Sequence, residues 1–138
     1  MIEVKDTIPV SVEKFFKIIT DYTSYPDFLE GVENVRVIET KGNIKLIEYT
    51  VNVIKSVTYV LKTIETLNEG ISWELQDGGA FKKNSGYWKL SPQGGSTLAV
   101  YGLDVQFNFY VPKMILNGLV ANQVPKTFNG FKKRAQGG

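Results

Sequence analysis

Hydrophobic positions in this chain alternate through most of its length and then, near the end, recur every three or four residues. From Ile2 to Ile8, the apolar Ile2, Val4 and Ile8 stand against Glu3, Lys5 and Asp6, which predicts a strand stopped by Pro9. Val12, Phe15, Phe16, Ile18 and Ile19 then share one side of a helix running to about Asp21, with Ser11 as its N-cap. Pro26 disfavours α geometry in the residue before it. A second short helix is therefore predicted after this break, ending near Gly31.

From Val32 the punctuation becomes regular. Strand-like runs cover Val32–Glu39, Ile44–Val53, Val57–Leu67, Ile71–Gln76, Phe81–Leu90 and Thr97–Phe109. Between them lie turn sequences such as Lys41-Gly42-Asn43, Asn68-Glu69-Gly70 and Asp77-Gly78-Gly79, whose shortness favours antiparallel hairpins. Alternation assigns an inward face. It carries Ile47, Tyr49, Val51 and Val53, then Val57, Tyr59 and Leu61 by a narrow margin over the opposite parity of Val60 and Ile64, then Ile71, Trp73 and Leu75. Asn84, Gly86, Trp88 and Leu90 follow, and last Ala99, Tyr101, Leu103, Val105 and Phe107.

Val111 to Arg134 is different. Pro112 suits a helix start, and Ile115, Leu116, Leu119, Val120, Val124, Phe128 and Phe131 form one broad apolar side. That is a stripe of about six turns at ~3.6 residues per turn. The expected architecture is α+β: a strand, two short helices, six more antiparallel strands and one long terminal helix. A seven-stranded sheet of this kind must twist and curl. Curled around a single helix, it leaves room for a cleft.

Composition narrows the chemistry. The 138 residues suit one domain spanning residues 1–138, and 43% hydrophobic with 22% charged residues is ordinary for a globular chain. There is no Cys and no His. That excludes a thiol nucleophile, a Ser-His pair and the usual metal ligands, so neither a metal nor a cofactor is expected. The formal charge of +2 is spread among both signs, and no nucleic-acid partner is expected. No apolar run approaches the ~20 residues of a membrane span. The first residues lack a signal-peptide pattern, so a cytoplasmic location is expected.

Several residues are candidates for a site. Gln123 falls in the middle of the terminal apolar stripe, where an amide needs a partner. It can meet the polar end of a ligand. Alternatively it serves backbone groups freed by Pro125, which lacks an N–H and leaves the carbonyl of Ala121 without its helical partner. Asn84 shares the face of Trp88 and is either a polar handle on a ligand or a residue bonding backbone. Tyr49, Tyr59, Trp73, Trp88 and Tyr101 are core residues or pocket walls, with at least two expected at a cavity. Val51 and Leu103 point the same way by parity, and Ile115, Leu119 and Gln123 are the helix positions expected to face a guest. The helix before Pro125 is assigned to ligand and gate, and the helix after it to core packing. Glu48 is read as outward-facing and Glu65 as lying near a strand end, so neither is expected to do acid–base work. Asp21 is expected to bond backbone N–H groups in the turn that follows it. Lys132, Lys133 and Arg134 suit the negative end of the helix dipole.

The motif Asp21-Tyr22-x-x-Tyr25-Pro26-x-Phe28, the strand Gly86-Tyr87-Trp88-Lys89-Leu90, Val111-Pro112 and Phe131-Lys132-Lys133-Arg134-Ala135 occur in an order that resembles the START-like helix-grip superfamily. The similarity is to its polyketide cyclase/dehydrase and coenzyme-Q-binding branch and spans nearly the whole chain. The resemblance implies a sheet gripping the C-terminal helix, with a hydrophobic tunnel between them. The expected partner is a hydrophobic small molecule such as a lipid, quinone, isoprenoid or polyketide, with transient membrane contact left open. Members of this kind also include aromatic polyketide cyclases and ribosome-associated toxins, which stand as the alternatives. Binding is preferred to catalysis because the inward faces are nearly all apolar.

Overall fold

The computed structural model describes residues 1–52 and 54–137, so the reading of Val53 as an inward residue lies outside them. The elements run β1 (Ile2–Ile8), α1 (Val12–Ile19), a 3-10 turn (Tyr22–Asp27), β2 (Val32–Lys41), β3 (Ile44–Asn52), β4 (Ser56–Thr66), β5 (Gly70–Asp77), β6 (Phe81–Gln93) and β7 (Ser96–Phe107). A terminal helical arm follows in three parts: α2 (Lys113–Gly118), a π turn (Leu119–Gln123) and α3 (Val124–Gln136). The strands form one seven-stranded antiparallel sheet in the order β1-β7-β6-β5-β4-β3-β2. Consecutive hairpins build all of it except the placement of β1, which α1 and the 3-10 turn separate from β2 and which pairs with β7. This is the helix-grip architecture.

Local chemistry explains the first elements. Ser11 caps α1, its Oγ accepting the Lys14 N–H at 3.2 Å. The second helix does not follow Pro26, as expected, but contains it. A 3-10 turn is short enough to tolerate a residue with no N–H. The Phe28 and Leu29 N–H groups close it on the Tyr25 carbonyl, at 3.2 and 2.9 Å. Asp21 precedes this turn without a side-chain capping bond; its backbone carbonyl accepts the Ser24 N–H instead. The last strand stops at Phe107 rather than Phe109.

The sheet curls for identifiable reasons. Register shifts interrupt the β2–β3, β4–β5 and β6–β7 ladders, and each such irregularity bends its strand. β5 and β6 pair from Gly70↔Lys89 to Trp73↔Gly86. Beyond that point β5 continues along β4 and β6 along β7, so the concave face widens. Two glycines make the central strands possible. A Cβ on Gly86 would sit 2.5 Å from Trp73 Cζ2, and one on Gly102 would strike the Tyr87 ring on the opposite face.

One end of the grip is solid. Trp88 stacks on Phe128 at 5.4 Å between centroids and meets Phe15 and Phe131 edge-on at 5.3 and 5.2 Å. Ile8, Ile19, Ala99 and Ala135 complete this core. Lys132 ties α3 to β1 through Asp6 at 2.7 Å, and Arg134 lies 5.0 Å over the Phe28 ring. Lys132 and Arg134 thus hold the helix end in place as well as suiting its dipole. At the other end, α2 buries no residue, whereas Val124, Phe128, Phe131 and Ala135 of α3 are buried.

Gly86→Ala should lower stability by about 1–3 kcal/mol, because the added methyl would press on the Gly102 carbonyl oxygen as well as against Trp73. Gly79→Ala, where a Cβ meets nothing within 4 Å, should change it by less than about 0.5 kcal/mol. Urea-denaturation midpoints of the two variants check the difference.

Candidate functional site

Between the open half of the sheet and the helical arm lies a cavity of about 270 Å³. The sheet supplies Tyr49 and Val51 from β3, Tyr59 from β4, Trp73 from β5, Asn84 and Trp88 from β6, and Tyr101 and Leu103 from β7. The arm supplies Leu119 and Gln123. Strand parity and the amphipathic stripe thus bring ten of the eleven candidate residues to one space.

Ile115 is the exception and a correction: it is 45% exposed, and Leu116 takes the cavity-facing place. The reason is the π turn. The Val124 N–H donates to the Leu119 carbonyl, five residues back. That extra residue rotates α2 relative to α3, so a uniform helical wheel misplaces the first turns. The wide turn sits immediately before Pro125, which is located at the start of α3. There its ring and missing N–H would disturb a regular turn over Ala121.

Other wall residues were not singled out in advance. Thr63 is 1% exposed and lines the cavity beside Leu61. It shares the parity of Tyr59 and Leu61, a signal that was present. Tyr25 enters from the 3-10 turn, which has no period to read, and donates its hydroxyl to the Ile19 carbonyl. Thr127 and Asn52 complete the polar part of the lining.

The aromatic walls are packed against one another. Tyr49 and Tyr59 stack at 5.4 Å, and Tyr59 meets Phe81 edge-on at 4.9 Å. Trp73 lies 5.9 Å from Tyr101. Burial pushes the phenols of Tyr25, Tyr49, Tyr59 and Tyr101 up, so all four stay neutral hydroxyls. At Tyr59 the Asn84 amide partly opposes that rise. Asn84 and Tyr59 line the same cavity. Gln123 makes no side-chain capping bond at the start of α3, and its Nε2 lies 3.9 Å from where a Cβ of Gly31 would be.

The carboxylates stand apart from this space. Glu48 pairs with Arg36 at 2.8 Å on the outer face. Glu65 accepts the Tyr22 hydroxyl at 2.6 Å and pairs with Lys45 at 2.8 Å. Burial, then that carboxylate, raises the Tyr22 phenol as well. Among the described residues, Glu30 is the one carboxylate on the cavity wall, at its exposed rim and 2.6 Å from Lys126. No group of three or more acidic, His or Cys side chains is placed to hold a metal among the described residues, and no helix among them is long and apolar enough to cross a membrane.

Residues 8–132 match the family described as polyketide cyclase/dehydrase and lipid transport. The ribosome association toxin RatA of Escherichia coli is 31% identical over 134 residues, covering 94% of this chain and 82% of that protein. A START superfamily protein of Mycobacterium smegmatis superposes with a TM-score of 0.85 at 19% identity, over 98% of this chain and 96% of that one. The Zhui aromatase/cyclase of a Streptomyces species also reaches 0.85, at 15% identity, over 98% and 92% of the two chains. At such identities these two structures establish the shared fold.

The buried phenols give a pH signature. Their folded pKa values lie above the unfolded value of about 10, so above that pH the unfolded chain loses protons that the folded chain keeps. Stability should be level below pH ~10 and then fall by about 1.4 kcal/mol per pH unit for each such tyrosine. Denaturation midpoints across the alkaline range, with phenolate absorbance, check this. Tyrosines that all ionise together near pH ~10 without loss of structure would contradict it.

Proposed function

This chain belongs to the polyketide cyclase/dehydrase and lipid transport family, and on that footing we propose that it binds and carries a hydrophobic small molecule between its sheet and its helical arm. The observation that carries this reading is the cavity itself: about 270 Å³, walled mainly by apolar and aromatic side chains, with a few inward polar groups. Concave sites of that composition suit small-molecule binding. A lipid, quinone, isoprenoid or polyketide fits the description, and apolar walls discriminate weakly among them.

Binding is favoured over catalysis by the lining. An aromatase/cyclase-type reaction needs side chains that move protons at the reacting atoms, and the wall carboxylate Glu30 is at the rim, paired with Lys126. Fold likeness to a cyclase does not transfer its chemistry.

Entry is assigned to α2 and the strand-to-helix connection before it. Tyr110 and Met114 are 86% and 85% exposed there, and an arm with few buried apolar contacts opens at low cost. The same exposed side chains, beside Lys113, would make the transient membrane contact. A second reading, association with ribosomes, is favoured by the likeness to RatA over most of both chains. Co-sedimentation of the purified protein with ribosomal subunits tests it, and its absence in low salt would remove that reading.

Organic extraction of the purified protein followed by mass spectrometry should release a hydrophobic compound in near-stoichiometric amount. Leu119→Trp, which fills the cavity from the arm, should abolish that compound and the uptake of added prenyl or quinone probes while the chain stays folded. A wild-type protein that is empty and takes up no such probe would defeat the carrier reading.

A further inference from the structure

The polar groups of the cavity fall into two zones. At the rim stand Glu30, Asn52 and Gln123, the first two exposed to water. Water can satisfy these groups whatever the cavity holds. Inside stand Asn84, Thr63 and the phenols of Tyr49, Tyr59 and Tyr101, and Asn84, only 5% exposed, is the one primary amide among them. Its backbone is locked opposite Val105 in the β6–β7 ladder, so its side chain is committed to the concave face. Tyr59 lines the same space from β4. A primary amide offers two N–H donors and a carbonyl, and a phenol offers a donor and lone pairs. Even a bond between the two would leave part of that capacity unused in a space lined by Phe81, Leu103 and Val105.

The charge balance of the same space is one-sided. Among the described residues no Lys or Arg lines the cavity, and the wall carboxylate Glu30 is held at the rim by Lys126. A carboxylate or phosphate carried to the interior would lose its water and gain no counter-charge. A neutral oxygen would exchange water for the open hydrogen-bonding positions of Asn84 and Tyr59.

We propose that Tyr59 and Asn84 form a head-group subsite for one uncharged oxygen function, a carbonyl or a hydroxyl, of a ligand that enters polar end first, and that the cavity rejects the corresponding anion. This deepens the carrier reading and rests on it. The apolar remainder of the ligand then lies along Leu103 and Leu119 toward Leu116 and Val120. These last two are the partly exposed arm residues at the opening. With about 270 Å³ available, the interior holds a small ring system, and any longer tail leaves by that opening.

The test is calorimetric titration of the full chain with acetylnaphthalene, ethylnaphthalene and naphthoate, substituted at the same ring position. They match in bulk and differ in a neutral oxygen, no oxygen and a charge. The ketone should bind about tenfold more tightly than the hydrocarbon, the worth of one good hydrogen bond. Naphthoate should bind at least about a hundredfold more weakly than the ketone. Asn84→Leu should erase the ketone's advantage while leaving ethylnaphthalene within about twofold of wild type. If Asn84→Leu does not fold, Tyr59→Phe decides by the same comparison, because it removes only the hydroxyl. Naphthoate binding as tightly as the ketone, or variants that weaken all three ligands equally, would overturn the subsite but leave the carrier reading standing. Failure of all three ligands to bind wild type would count against the cavity as a binding site, and the subsite would fall with it.

Discussion

The structure depends on how Trp88 is held. Its indole is gripped by Phe15 from α1 and by Phe128 and Phe131 from α3, so one side chain joins the sheet, the first helix and the last. On the side of the two helices it is close-packed, while its other side forms part of the cavity wall. Because α3 is fixed there, the rest of the arm must reach back over a sheet that is widening, and it cannot fill the space beneath it. The cavity is what remains when a curled sheet is clamped to its helix at one end only.

Pro125 marks where the clamp stops. Before it the arm relaxes into a π turn, in which the Val124 N–H reaches the Leu119 carbonyl, and then into α2, which buries nothing. Burial in this arm is thus confined to the part from Val124 onward, although Thr127 and Phe131 there also line the cavity. Functional use of π turns is common, and here the turn directs Leu119 and Gln123 at the cavity wall.

Most of the fold was legible in the sequence because alternation and helical spacing are direct readouts of burial. Strand parity placed Tyr49, Tyr59, Trp73, Trp88 and Tyr101 on one concave face, where the cavity now shows them. What was not legible has a physical origin in each case. The 3-10 turn through Pro26 has no period, so neither its extent nor the entry of Tyr25 could be read. The π turn breaks helical phase, so Ile115 was assigned the place that Leu116 holds. The match over residues 8–132 adds membership of the polyketide cyclase/dehydrase and lipid transport family and leaves the ligand to be found by experiment.

The central claim is that a guest sits between the open half of the sheet and the π turn. Nuclear Overhauser contacts between a bound, isotope-filtered apolar ligand and the protein test it most directly. Contacts to the rings of Tyr59 and Trp73 and to the methyls of Leu103 and Leu119 are the predicted result. Contacts confined to the exposed side chains of Tyr110 and Met114, with Trp73 and Leu103 unaffected, would contradict it.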